Sequence, residues 1–595
     1  MKQDKILWQL LDGFRGSSWH RSEHVELALQ ALAWAHLTHA KKLPEHLWLT
    51  HEMTNEPQRI NNALMELATF DGQIGQAFSG LRLIEGDAHQ LRPVIDLALR
   101  FSATGVLQHF AAGDAAAAAI AEMGRQSLGI GLPSELADLR FGLCDLREGD
   151  SLYAPWDFSG QLAMRAADIG ADAYVEIPNR TSFPALVSLL SSKAFEVVSS
   201  DPIRDPSAII DGNPKKFSAA IAFPPMGQRY EPDVVDRDLF NRFRERSTSS
   251  TVLGIRHLLS QAVGRVVVAV PNNLLFSGGA EELLRKSLLM KGQILAVFGM
   301  PTGLLEGTNV SFSILVLQPA GTQKPVGLIN VDDDKYRIPV SKARFRLTNV
   351  DTLLAQLDEP NDTETVRHKE TDELLANDAN LEIGRHFLPP SQLRLLMSLI
   401  GTKTVELGDL TTTVRPMPVS KHVTECHVRE IGAADIPALG FIQSPGRKLY
   451  VDPLVARKNN HQFLQPLDVV MIVKGSVGKV GIVPADVPPA GPGAWIAGQS
   501  AIVLRVIPSS EIYAETLAVQ LRSPIGQELL KILVTGASIP LIKITDLMQL
   551  GIILPDAETA QQARAALHRE TELQRQIVEL QKEQAAVAAQ LWAIL

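Results

Sequence analysis

Two cysteines, Cys144 and Cys426, in 595 residues cannot build a disulfide scaffold or a cysteine-rich zinc site, and they fit a reducing compartment. Long apolar runs are missing too. No stretch approaches the roughly 18 residues a membrane-spanning helix needs, so a cytoplasmic chain with no membrane partner is expected. The opening MKQDKILWQLLDGFRG lacks the order of basic, apolar and small residues that marks a signal peptide. Basic charge is short as well: 57 lysines and arginines face 66 aspartates and glutamates, a net charge of −9. Binding to nucleic acid by bulk electrostatics is not expected, and any such contact needs a local basic face. His20 and His24 stand four residues apart without the carboxylate of an HExxH site, so they read as a solvated helix face and no metal is expected. Apolar residues are not short. They make up 45% of the chain, enough core for about three or four domains.

Residues 1–125 read as helical. In HVELALQALAWAHL, Val25, Leu27, Leu29, Leu32 and Trp34 sit among helix-favouring alanines with no proline. In GDAAAAAIAEMG, Asp114 reads as an N-cap and Gly124 as a stop. Over 126–330, β-type runs (DAYVEI, FEVVSS, FSAAIAF, RVVVAV, QILAVFG, FSILVLQ) alternate with helical ones (GQLAMRAADIG, STVLGIRHLLSQAVG, GAEELLRKSLLMKG). That alternation predicts a doubly wound α/β sheet with ligands beyond the carboxyl ends of its strands. Residues 331–395 are charged and mixed, and read as a connector. Residues 396–555 are rich in strands and turns (VELGDLTTTV, DVVMIVKGSVGKVGIV, WIAGQSAIVLRV). The run 556–595 has no glycine and no proline. In it Leu573, Ile577, Leu580, Val587, Leu591 and Ile594 form an a/d seam interrupted by Gln584.

One candidate strand end is IAFPPMGQRY. In enzymes that methylate the exocyclic amine of a DNA base, a strand often ends in Asn-Pro-Pro followed by Phe or Tyr. Here Phe223 precedes Pro224 and Pro225, and Met226 follows them. The pieces LLDGFRGSSWHRSEHVELALQALAWAHL, PNNLLFSGGAEELLRKSLL, ILAVFGMPTGLLEGTNVSFSILVL, DELLANDANLEIGRHF, DVVMIVKGSVGKVGIV, LRSPIGQELL and GASIPLIKITDLMQLGIILP then follow in a telling order. Together they resemble the modification subunit of type I restriction–modification systems, an N6-adenine DNA methyltransferase, fused to half of a specificity subunit. The resemblance implies a multidomain α/β protein. Its parts would be an N-terminal helical domain, a Rossmann-like methyltransferase domain, a β-rich target-recognition domain and a C-terminal coiled-coil spacer helix.

It also implies S-adenosylmethionine as cofactor. The family places Asp-Pro-x-x-Gly-x-Gly after its first strand; the matching stretch keeps Pro155 and Gly160 but has Ala154 for the acid, a new Asp157, and Phe158 for a glycine. Glu176 matches the acid that takes the ribose hydroxyls, and Asp201 the acid near the cofactor's adenine. Leu132-Pro133 departs from the family's Thr-Pro. At the catalytic loop, the family's Asn or Asp oxygen and the first proline's carbonyl accept the two amine protons of adenine, which localises its lone pair. The aromatic stacks on the flipped base. Phe223 has no acceptor and Met226 is no rigid platform. These departures predict an impaired catalyst with weak or absent cofactor binding.

The recognition half supplies Arg415, Lys421, Arg429, Arg447, Lys448, Arg457 and Lys458 as candidate DNA contacts. A DNA sensor or scaffold in a restriction or phage-defence complex is the leading expectation. The others are an active adenine methyltransferase and an assembly subunit that binds protein. Partners would be duplex DNA, a second copy through the terminal helix, and a nuclease or helicase subunit, since no GxxxxGK[ST] loop is present.

Overall fold

The computed structural model describes the chain except residues 1–3, 15–20, 81–87, 124–128, 180, 307, 309, 342–343, 388–391, 393–394, 396–402, 421, 424, 536–539 and 592–595. It divides into two compact units, Met1–Phe387 and Leu388–Leu595. Of the expected features, His20, Gly124, Lys421 and Ile594 lie outside the described residues.

In the first unit the helix Arg21–His39 is buried around most of its circumference between Val25 and Leu37. Its alanines let neighbouring helices approach from several sides, so it carries no amphipathic stripe. The helix Ala112–Met123 starts two residues before Asp114, which is therefore not its N-cap. The Asp114 carboxylate is drawn instead to Arg165 Nη1 (3.0 Å), Ser134 Oγ (2.8 Å) and Gln161 Nε2 (2.8 Å).

The expected sheet is present, with nine strands. These are β1 Ser151–Pro155, β2 Asp172–Ile177, β3 Glu196–Ser199, β4 Ala219–Ala222, β5 Val266–Pro271, β6 Ile294–Gly299, β7 Phe312–Leu317, β8 Val326–Asn330 and β9 Val366–Lys369. Their order is β9-β8-β6-β7-β5-β4-β1-β2-β3. Only β7 and β9 run antiparallel to their neighbours. β9 comes from the stretch expected to be a connector, so the sheet extends past residue 330. Each strand from β4 to β8 is a near-continuous apolar run, as burial on both faces requires. Chain order reverses between β1 and β4, which pair in parallel at Leu152–Ala219 and Tyr153–Ala220. The turns after these two strands therefore lie side by side at the topological switch point, where ligands of open α/β sheets bind.

The second unit is β-rich. One sheet joins Thr411–Val414, Ala501–Val506, Val469–Ile472 and Val480–Ile482; another joins Arg447–Val451, Cys426–Ile431 and Trp495–Ala497. Thr404–Glu406 pairs antiparallel with Gly551–Ile553, so the strands that open and close this unit are neighbours. The helix Ala557–Leu591 follows. Ala560 and Leu567 are buried in the unit, whereas Leu573, Ile577, Leu580 and Val587 are 42, 53, 62 and 64% exposed.

Candidate functional site

Four residues of the turn after β1 decide what the switch point can hold. Pro155, the last residue of β1, is buried and pairs with Glu176. Trp156 has φ +62°, a conformation a bulky side chain rarely adopts. Its ring lies edge-on to His257, with centroids 6.5 Å apart. Gly254 packs close to Pro224, where a Cβ would stand 3.2 Å from Cγ, and the Trp156 ring lies at ordinary contact distance beside it. Its indole Nε1 is buried without a hydrogen-bond partner. Asp157 turns its carboxylate onto the start of the helix Gln161–Asp168, where Oδ2 accepts from the amides of Leu162 (2.9 Å) and Ala163 (3.1 Å). Ser159 Oγ donates to Oδ1 at 3.0 Å. Burial pushes the Asp157 carboxyl up, and these hydrogen bonds pull it back. Phe158 is buried over Gly129, where a Cβ would come within 2.3 Å of its ring. Gly160 sits at φ +71°, and a Cβ would meet Pro184 and Phe195 at 3.1 and 3.2 Å.

Glu176, on β2, is fully buried, and burial raises its carboxyl above the usual range. Its Oε1 accepts from the Ser207 amide (2.5 Å) and Ser207 Oγ (2.7 Å), and its Oε2 from the Tyr153 hydroxyl. Tyr153 Oη in turn meets His257 Nε2 at 2.7 Å, and Arg242 Nη1 lies 2.7 Å from His257 Nδ1. A guanidinium can only donate, so Nδ1 accepts and the proton of the neutral ring sits on Nε2. Burial, then the charge of Arg242, hold His257 well below the usual histidine range. Arg242 forms a buried pair with Asp238 and donates to the carbonyls of Pro202 and Ile203. Sequence reasoning missed this relay. Tyr153 and His257 look like ordinary strand and helix core residues, and only the pairing of β1, β2 and the helix Ser250–Gln261 brings them together. Asp201 caps its own turn, accepting from the amides of Ile203 (2.9 Å) and Arg204 (3.2 Å).

Beside this, β4 ends at the Phe223 turn. The Phe223 ring is buried against Phe312 at 5.4 Å, under the Arg140 guanidinium at 5.5 Å. Arg140 Nη2 donates to the Ala222 carbonyl at 2.5 Å. Burial lowers the fully buried Arg140 to about 10. Pro224 packs on the Gly254 notch, the Pro225 carbonyl accepts from Ser250 Oγ (2.5 Å), and Met226 is half-buried on the core. The turn thus carries apolar side chains with the buried Arg140 of the helix Ser134–Gly142 behind Phe223, and Phe223 adds no acceptor. Among the described residues no cluster of histidine, cysteine or carboxylate side chains could hold a metal ion, and no helix is long and apolar enough to cross a membrane.

In the second unit, Arg429 and Lys448 stand opposite each other in register and share a face with His427 and Tyr450, which pair likewise. Arg429 Nη1 donates to the Pro445 carbonyl (3.1 Å) and Lys448 Nζ lies 5.8 Å over the Tyr450 ring. Arg447 is not part of this face: it points the other way and pairs with Glu430 at 3.1 Å. Arg457 and Lys458 are exposed at the end of the helix Pro453–Lys458, capped at its start by Asp452, and Arg415 is exposed after Val414.

Comparison with known proteins bears on the fold of the first unit. Residues 189–393 match the family model of N-6 DNA Methylase. The fold is similar to that of a type I restriction–modification methyltransferase subunit from Streptococcus thermophilus, at 17% identity and TM-score 0.53, over 64% of this chain and 98% of that one. It is also similar to a chain from a structural study of complex assembly in the type I restriction–modification system, at 14% identity and TM-score 0.50, over 67% of this chain and 94% of that one. The protein therefore contains a methyltransferase fold, with the sequence pattern of N-6 DNA methylases over 189–393.

Proposed function

We propose that this protein binds DNA in a sequence-specific way through its second unit and carries a methyl-transfer centre that no longer works. It would act as a DNA sensor or scaffold in a restriction or phage-defence assembly, with a nuclease or helicase subunit as partner. Phe223 is the observation that carries this. Adenine N6 methylation needs an acceptor at the strand end to draw the amine protons, and the strand end offers a buried phenyl ring under a guanidinium. Loss of one such electrostatic partner lowers a rate by roughly 10²–10³.

The cofactor residues point the same way. S-adenosylmethionine does not fit the turn as it stands: the Asp157 carboxylate holds the helix start, Glu176 is engaged by Tyr153 and Ser207, and the side chains of Trp156 and Phe158 are buried in the turn. Pro155 is buried in β1, Gly160 is crowded by Pro184 and Phe195, and Asp201 spends its carboxylate on the amides of its own turn. DNA contact is assigned to the face of Arg429 and Lys448 and to the exposed Arg415, Arg457 and Lys458, with Arg447 on the opposite face paired to Glu430.

Long-read sequencing of host DNA with and without the gene tests the methylation half. No adenine motif should lose methylation on deletion. A methylated motif that vanishes with the gene would establish an active methyltransferase instead.

A further inference from the structure

We propose that the methyltransferase-like module carries its own stand-in for the absent ligand. A nucleoside joined to an amino acid, bound at a switch point, would offer three things: an anion for the helix start, hydroxyl donors for the strand-end acid, and a ring for the crevice wall. The chain supplies all three. Asp157 is the anion on the amides of Leu162 and Ala163. The hydroxyls of Tyr153 and Ser207 are the donors on Glu176. The Trp156 indole is the ring, buried with its edge against His257.

Trp156 shows that this filling overrides local preference. Its backbone is left-handed and its indole N–H is buried without an acceptor. A chain free to choose would avoid both features. They persist because the neighbours on β2 and on the helix Ser250–Gln261 fix the ring where it is: the Trp156 amide donates to the Glu176 carbonyl at 2.9 Å, and His257 faces the ring edge. The carboxyl end of the strands beside the Phe223 turn is thereby filled by the chain's own side chains.

This inference rests on the proposal that the module works without cofactor, and it is tested without DNA, so that its failure leaves DNA binding standing. The measurement is thermal unfolding of the full chain with millimolar S-adenosylhomocysteine as probe. The wild type should not move. The variant Trp156→Gly/Ser207→Ala, which removes the ring and one hydroxyl, should unfold at a lower temperature alone and regain several degrees with the probe. A clear upward shift of the wild type overturns the proposal, and so does a folded variant that the probe leaves unmoved. If the variant does not fold, hydrogen exchange on the wild type decides. Unchanged exchange at the Leu162, Ala163 and Ser207 amides on adding the probe supports the stand-in; slower exchange there refutes it.

Discussion

The imidazole of His257 lies between Arg242 and Tyr153, away from water. Its proton affinity is depressed by burial first and by the guanidinium second. A histidine depressed in the folded state stabilises the fold above its unfolded value, near 6.5, and that stability is lost as pH falls. Below about pH 6.5 the loss should approach about 1.4 kcal/mol per pH unit. Glu176, raised by burial, acts in the opposite sense: its contribution is present below about 4.5 and is lost as pH rises through its folded value. Comparing the wild type with His257→Gln separates the two, because glutamine keeps a donor and an acceptor but does not titrate. The difference in unfolding free energy between them, followed by chemical denaturation, should change steeply between pH 7 and 5; a flat difference would remove His257 from the network. None of this is legible in the sequence. Glu176 stands out because it closes a β-type run, but its partners Tyr153, Ser207 and His257 come from three separate segments, and their spacing along the chain carries no signal.

The elements are far easier to read than the bonds between them. Each of the β runs DAYVEI, FEVVSS, FSAAIAF, RVVVAV, QILAVFG and FSILVLQ forms a strand of the large sheet. The last three are continuously apolar because their strands are buried on both faces, whereas the edge strand from FEVVSS is partly exposed. SLYAP, with its tyrosine and proline, gives no such signal although it is the central β1. The basic segment of the second unit divides by alternation alone: Arg429 and Lys448 share a face, and Arg447, one residue away, does not. Charge reversal of Arg429 and Lys448 should weaken DNA binding and lower the slope of log K against log salt by about 0.9 for each phosphate no longer neutralised. Arg447→Ala should change both quantities less, since its guanidinium lies on the opposite face beside Glu430. Equal effects from both variants in a salt titration would mean that the face is misassigned. The terminal helix separates in the same manner: its first turns are anchored by Ala560 and Leu567, and its seam from Leu573 to Val587 is exposed.

For the whole molecule, an exposed apolar seam on a long helix calls for a partner. A second copy pairing antiparallel would give a closed two-fold dimer. A chain ending at Thr571 keeps the packing of Leu567 and the bond from the Phe441 amide to Thr571 Oγ1, but has no seam. Light scattering at micromolar concentration should find the full chain dimeric and the shortened one monomeric; a dimer that survives the cut would place the interface elsewhere. With two copies of the second unit related by that axis and binding DNA as proposed, a footprint should show two protected tracts in inverted repeat, and a single asymmetric tract would argue against the dimer.

The pairing of Thr404–Glu406 with Gly551–Ile553 brings the first and last strands of the second unit together. A segment whose entrance and exit are neighbours behaves as a cassette: it can be lifted out and another set in its place without moving either flank. On the proposed function, in which this unit reads DNA, new target sequences would arise by recombination inside a single gene, with crossovers near these two strands. Grafting residues 407–550 from one such chain onto another should carry the DNA preference with it and leave the rest of the protein's folding unchanged.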